Sequence, residues 1–289
     1  MKYPVSVWMG YYPEYHPAKV IDLLSEAGFT HTEWSTNCTT WLLEERGTPA
    51  QLGQKMANHA AGCNMTIPQG HLRFKQGLCD DAAVELLKQD LDLFLAMGVK
   101  AAVLHCNGGK ELTDEERHDR WIENLQTLCD YVKGTDLVLC LENLGSTPQT
   151  HTAQRLLGLI DAAGGGDNLG ICLDMGHLHL TNGRGQTQQS LGDFIRTAGS
   201  RLQALHVTNN SGQGDDHLMP YSSRLGIDYR EPIRALDEIG YKGLFNLEIL
   251  GESRAPMAIR RAKLEFIQKM CAYMLSDEFL DLNEEYPLL

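Results

Sequence analysis

Four apolar runs in the second half of the chain each end in a carboxylate or an imidazole: Glu142 in LVLCLENLG, Asp174 in LGICLDMGH, His206 in LQALHVTNN and Glu248 in LFNLEIL. Runs this rich in Val, Ile and Leu read as buried strands, so each polar residue sits where a strand leaves the core. The cations of these segments lie elsewhere. Lys100, Arg201 and Lys242 come just before their strands begin, leaving the acidic ends without a cation from the same strand. Anionic and imidazole side chains gathered at a dehydrated site need a counter-ion, and a divalent metal is the usual one. The spacing therefore predicts a metal site.

The elements that must position these residues alternate along the whole chain. Strands are expected at 3–9, 30–35, 64–69, 100–106, 136–142, 169–174, 202–207 and 243–249. Between them lie helical patterns such as HPAKVIDLLSEAG, DDAAVELLKQDLDLFLAMG, TDEERHDRWIENLQTLCDYVKG and YREPIRALDEIG, several closing on a glycine (Gly28, Gly98, Gly134, Gly240) as helix C-termini do. Eight βα units with parallel-type strands predict an α/β fold, a closed (β/α)8 TIM barrel, over residues 1–275, followed by an acidic tail at 276–289 that caps the barrel or meets another subunit. No dinucleotide or P-loop glycine signature sits at a strand-to-helix turn.

In such barrels the active site forms at the carboxyl ends of the strands. More polar residues collect there: Glu33 beside Trp34 on the second strand, His71 just past the third, His105 on the fourth, His177 one helical turn after Asp174, and Asp215 and His217 in the loop after His206. Taken singly, a strand-end histidine is more often a hydrogen-bonded structural group, and Glu33 could equally pair with a helix arginine. Trp8, Trp34 and Phe245 could form an apolar wall of such a site or simply pack in the core. Arg184, in TNGRGQTQQ, could grip a phosphate but reads more readily as a solvated loop residue.

Composition narrows the class. Of 289 residues, 43% are hydrophobic and 22% charged, an ordinary globular balance. No run approaches the roughly 20 apolar residues of a membrane span, and the amino terminus lacks a secretory signal. The eight cysteines form no C-x-x-C pair, which suits a reducing, cytoplasmic setting. A net charge of −13 without a basic stripe weighs against nucleic acid as a partner.

The stretches LEN around Glu142, GICLDMGH, LHVTNNSGQGDDHLMP and LEIL together resemble the xylose isomerase-like barrels, a superfamily of sugar isomerases and epimerases that also includes the endonuclease IV type nucleases. The similarity runs through the whole chain. In the ketose epimerases of this group the resemblance implies one divalent ion, Mn²⁺ first and Mg²⁺, Co²⁺ or Zn²⁺ as alternatives, on positions matching Glu142, Asp174, His206 and Glu248. It implies proton abstraction beside a metal-bound carbonyl, with an enediolate between Glu142 and Glu248, and a substrate oxygen held by His177. His71, His105, Asp215, His217, Glu33 and Trp34 are the remaining candidates for contact with a sugar or polyol, and homo-oligomers are common in such families.

Two departures keep other activities open. The epimerases carry an Arg shortly after the metal-binding His, whereas VTNNSGQG follows His206 here; the DxHLxP loop is closer to that of inositol-pathway dehydratases and isomerases. Endonuclease IV enzymes hold a zinc cluster, and their ligands find counterparts at His71, His105, Glu142, Asp174, His177, His206, Asp215, His217 and Glu248. Phosphodiester hydrolysis is therefore an alternative expectation.

Overall fold

The computed structural model describes residues 2–75 and 77–282. The chain runs β1 (Val5–Val7), α1 (Pro17–Glu26), β2 (His31–Trp34), α2 (Thr36–Leu43), α3 (Pro49–Gly62), β3 (Thr66–His71), α4 (Asp81–Met97), β4 (Ala101–Leu104), α5 (Asp114–Tyr131) and β5 (Val138–Glu142). It continues with α6 (Ala153–Ala162), β6 (Leu169–Asp174), α7 (Met175–Gly183), α8 (Leu191–Ala198), β7 (Leu202–His206), α9 (Arg230–Ile239), β8 (Phe245–Leu247), α10 (Met257–Met274) and α11 (Asp277–Leu280).

Local chemistry sets these boundaries. Thr48 and Gln51 form a capping box at the start of α3 with Pro49 in the first turn, and Asp80 caps α4, which ends on Gly98 at φ 81°. The backbone there needs a left-handed residue, which glycine adopts without a Cβ clash.

All the strand pairs are parallel. Strands β2 to β7 form one ladder in chain order and β1 pairs with β8. The two groups meet at a parallel bridge between Val207 and Leu247, and Thr32 Oγ1 donates to Val7 O at 2.7 Å on the other side. The result is the TIM barrel.

Alternate residues point inward and outward. Ala101, Val103, Cys140, Cys172 and Ala204 form a small apolar layer inside, while Trp34, Phe94, Trp121 and Leu125 are buried among the helices. Register places the polar rim above that layer: His71 opposite Val103, Glu142 opposite Cys172, and Asp174 opposite His206.

Two expectations change. The first strand stops at Val7, because the N–H groups of Tyr11 and Tyr12 turn back to Trp8 O and Met9 O in a single helical turn. The third strand begins later than expected and includes His71 as its last residue. The acidic segment is structured where it starts: Ser276 caps α11, which buries Phe279 and Leu280; residues 283–289 of that segment lie outside the described residues. No helix among the described residues is long and apolar enough to cross a membrane.

Candidate functional site

Asp174 shows how sequence builds the centre. It ends β6 and also caps α7, with Oδ1 accepting the main-chain N–H of His177 at 2.7 Å and the Thr208 hydroxyl at 3.3 Å. Asn143 pins the same backbone from β5, donating to Asp174 O at 3.0 Å and accepting from Asp174 N at 2.7 Å. Gly176 permits this strand-to-helix turn, since a Cβ there would lie 2.0 Å from Thr208 Oγ1.

With Oδ1 so engaged, Asp174 Oδ2 is buried and accepts no hydrogen bond. It faces His206, whose Nδ1 is 3.9 Å away, 3.3 Å from Glu142 Oε1 and 3.1 Å from Glu248 Oε2. One ligand atom from each of Glu142, Asp174, His206 and Glu248 lies within 4.8 Å of all the others, and all four side chains are buried. Two carboxylates and one imidazole converging on an orphaned carboxylate oxygen form a group able to bind a divalent metal.

The electrostatics agree with that geometry. Burial, together with the charges of Glu142 and Glu248, raises the Asp174 carboxyl to about 6 against the opposing pull of His177. Burial also works against the charged form of Glu248, but His206 outweighs it and holds the carboxyl at about 2. The imidazolium of His206 is in turn favoured by its anionic neighbours over the cost of burial.

Two further groups join this one. Glu142 Oε2 lies 2.7 Å from His105 Nε2 and 3.3 Å from His71 Nε2, and the three residues form a second group of ligand atoms. His177 Nε2 is 3.3 Å from Asp215 Oδ2, and His217 Nε2 is 3.5 Å from Asp215 Oδ1, completing a third. Asp215 and His217 reach the rim because the loop after β7 folds back through paired Asn209 and Leu218 hydrogen bonds. Asp22, His59 and Cys63 cluster as well, but on α1 and at the end of α3, where His59 Nε2 lies within hydrogen-bonding distance of Asp22 and the Ala18 carbonyl.

Above the centre opens a cavity of about 440 Å³ lined by Trp8, His71, Phe74, His105, Glu142, His177, Arg184, Asp215, His217 and Glu248, among others. A larger hollow of about 600 Å³ lies at the amino-terminal end of the strands, around His31, Lys100 and Tyr241, away from the centre.

The sequence profile described as xylose isomerase-like TIM barrel matches residues 21–270. The chain belongs to this family. Within the xylose isomerase-like TIM barrels, it is 28% identical over 258 residues to the uncharacterised protein y4fM of Sinorhizobium fredii, covering 79% of each chain. Among solved structures, the D-psicose 3-epimerase of Clostridium cellulolyticum superposes with a TM-score of 0.76 at 18% identity, over 94% of this chain and 99% of that one. The 3-keto-D-glucoside 4-epimerase YcjR of E. coli superposes at 0.72 and 14% identity, over 92% and 99%. At such identities these two share the barrel architecture.

Of the residues expected at the site of this xylose isomerase-like barrel, the structure brings together Glu142, Asp174, His206, Glu248, His177, His71, His105, Asp215 and His217. Two are corrected. Trp34 points out of the barrel into the helix layer, fully buried, with Nε1 donating to Thr39 Oγ1 at 2.9 Å, so it cannot touch a substrate. Glu33 points inward but lies under His206 rather than in the cavity wall, also fully buried. Phe245 belongs to the core, whereas Trp8 lines the cavity, its Nε1 donating to Ile249 O at 2.8 Å. Phe74 was not foreseen. Its ring stacks on His105 with centroids 4.5 Å apart, and its only signal was an aromatic three residues beyond a strand-end histidine.

Proposed function

We propose that the chain is a divalent-metal-dependent isomerase or epimerase of a small sugar or polyol. The observation that carries this reading is the unsatisfied Oδ2 of Asp174 among Glu142, His206 and Glu248 at the floor of a cavity into which both glutamates open. Those four residues would hold the ion, with Mn²⁺ preferred on an oxygen-rich donor set. When bound, a divalent ion polarises a substrate carbonyl and acidifies the neighbouring C–H.

This chain's own residues do the rest. Glu142 from β5 and Glu248 beyond β8 approach the cavity from different strands, so one carboxylate removes the carbon-bound proton and the other returns it. His177, whose Nδ1 lies 2.9 Å from Asn143 O, presents Nε2 to the cavity and orients a substrate hydroxyl. Trp8 and Phe74 supply apolar walls, and Arg184 lines the mouth. The volume suits a monosaccharide, and sugar epimerases with the same barrel agree with that chemistry. We read residues 1–275 as one catalytic barrel working in the cytoplasm, in keeping with its unpaired cysteines.

A second reading rests on the two additional groups. His71 with His105 and His177 with Asp215 and His217 extend the centre on either side, as a zinc cluster for phosphodiester hydrolysis would require. The net charge of −13 opposes a polyanionic substrate.

Elemental analysis of untagged protein purified without chelators tests both. About one Mn per chain, with deuterium from solvent entering a ketose or inositol derivative, supports the isomerase. Two or three Zn per chain, with cleavage of a phosphodiester, supports the hydrolase. Protein that takes up no metal after reconstitution overturns both.

A further inference from the structure

Glu33 is a fully buried carboxylate inside the barrel, below the candidate metal centre and outside the cavity wall. Such a group is costly unless every acceptor finds a donor. Its donors are fixed by their other bonds. Asn246 accepts the Ser6 hydroxyl on Oδ1 at 2.7 Å, which leaves Nδ2 to donate to Glu33 Oε2. Gln69 Nε2 donates both to Glu33 Oε1 at 3.1 Å and to Leu205 O at 3.2 Å, so that amide also turns a donor toward the carboxylate. The third partner is His206, with Nε2 3.0 Å from Glu33 Oε1.

An acceptor ringed by two amide donors requires a third donor, not an acceptor, from the imidazole. His206 must therefore carry its proton on Nε2, which leaves Nδ1 facing Glu142, Asp174 and Glu248. We infer that Glu33 is a positioning residue: through Nε2–H of His206 it selects the tautomer that presents Nδ1 as the ligand atom, with Ser6, Gln69 and Asn246 holding the carboxylate in place. The inference rests on the divalent-metal reading given above. A carboxylate on the far nitrogen also raises the basicity of the imidazole toward a cation. The effect is transmitted wholly through the side chain of His206, since Glu33 touches neither cavity nor substrate.

Glu33→Gln separates this role from packing, because the glutamine has nearly the same shape but turns a donor toward one of the three donors. Mn²⁺ alone is titrated calorimetrically into chelator-treated wild type and variant, after both are shown to be folded by near-ultraviolet circular dichroism. The expected result is binding weaker by about 10- to 100-fold in the variant. Equal affinity overturns the inference while leaving the metal reading intact, and a wild type that binds no Mn²⁺ overturns both. A measurement on the wild type needs no variant: ¹⁵N NMR of labelled histidines in protein loaded with diamagnetic Mg²⁺ or Zn²⁺ should show His206 protonated at Nε2 and bare of hydrogen at Nδ1. A proton on Nδ1 of His206 would sink the proposal even if Glu33→Gln failed to fold.

Discussion

Asp174 binds His177 through the backbone, its Oδ1 accepting the His177 N–H at 2.7 Å, while its Oδ2 faces the centre and accepts no hydrogen bond. One residue thus caps a helix, sets the place of a cavity-lining imidazole and turns an unpartnered carboxylate oxygen to the centre. The first task stabilises the fold, whereas a buried carboxylate oxygen without a partner burdens it.

Asp174→Asn should separate those tasks. The asparagine keeps the Oδ1 cap and puts an amide donor where Oδ2 stood among carboxylates. In chelator the variant should be more stable than wild type by about 1–3 kcal/mol, the cost of an unpaired buried polar group. Added Mn²⁺ should raise the melting temperature of the wild type and leave the variant unchanged. A variant less stable than wild type in chelator would show that the orphaned oxygen carries no penalty.

Glu248→Gln should lower kcat on the isomerised substrate by about 10²- to 10⁴-fold, the range of a lost acid–base group. Solvent deuterium should cease to enter the substrate carbon. Retained exchange at the wild-type rate would remove Glu248 from proton transfer.

In chelator the protein should lose stability as pH falls below about 4 and again as it climbs above about 6.5. His217 is held at about 10, because its contacts with Asp215, Glu248 and Asp174 outweigh burial. A raised imidazole stabilises the fold below its unfolded value and loses that contribution as pH climbs through the folded one. Glu248, held at about 2 against burial by His206, behaves oppositely and loses its contribution as pH falls below the unfolded carboxylate value. Melting temperatures from pH 3 to 10 in chelator should show both declines, and saturating Mn²⁺ should flatten the alkaline one, since a metal replaces the protons it displaces. A profile in chelator that is level from pH 6 to 9 would contradict the assignment.

Gly176→Ala should cost about 1–3 kcal/mol, because the new methyl would fall 2.0 Å from Thr208 Oγ1 at the turn from β6 to α7. Relief requires turning the Thr208 hydroxyl away from Asp174 Oδ1 or shifting the turn itself, so Mn²⁺ affinity should fall with stability. Urea denaturation paired with Mn²⁺ titration checks this; unchanged midpoints would mean that the turn relaxes freely.

Much of the site was legible before the structure. Glu142, Asp174, His206 and Glu248 could be placed at one rim because parallel strands of a closed barrel all end on the same side, so position along each apolar run is enough. The histidines and Asp215 followed from the same rule and from a resemblance carried by LDMGH and DDHLMP.

Glu33 and Trp34 mark where that reasoning stops. Adjacent residues of a strand point to opposite faces, but in a barrel strand both faces are buried, so apolar periodicity does not tell the interior from the helix layer. Packing decided it, sending Trp34 to Thr39 and α2 and Glu33 to His206. The sequence alone determined the barrel and which strand ends carry carboxylates and imidazoles at one rim, because strand polarity and burial are written in local composition. Depth and facing came only with the tertiary structure: strand stagger and the closure of β1 on β8 decide whether a strand-end carboxylate lines the cavity or lies one layer below, against the ring of His206.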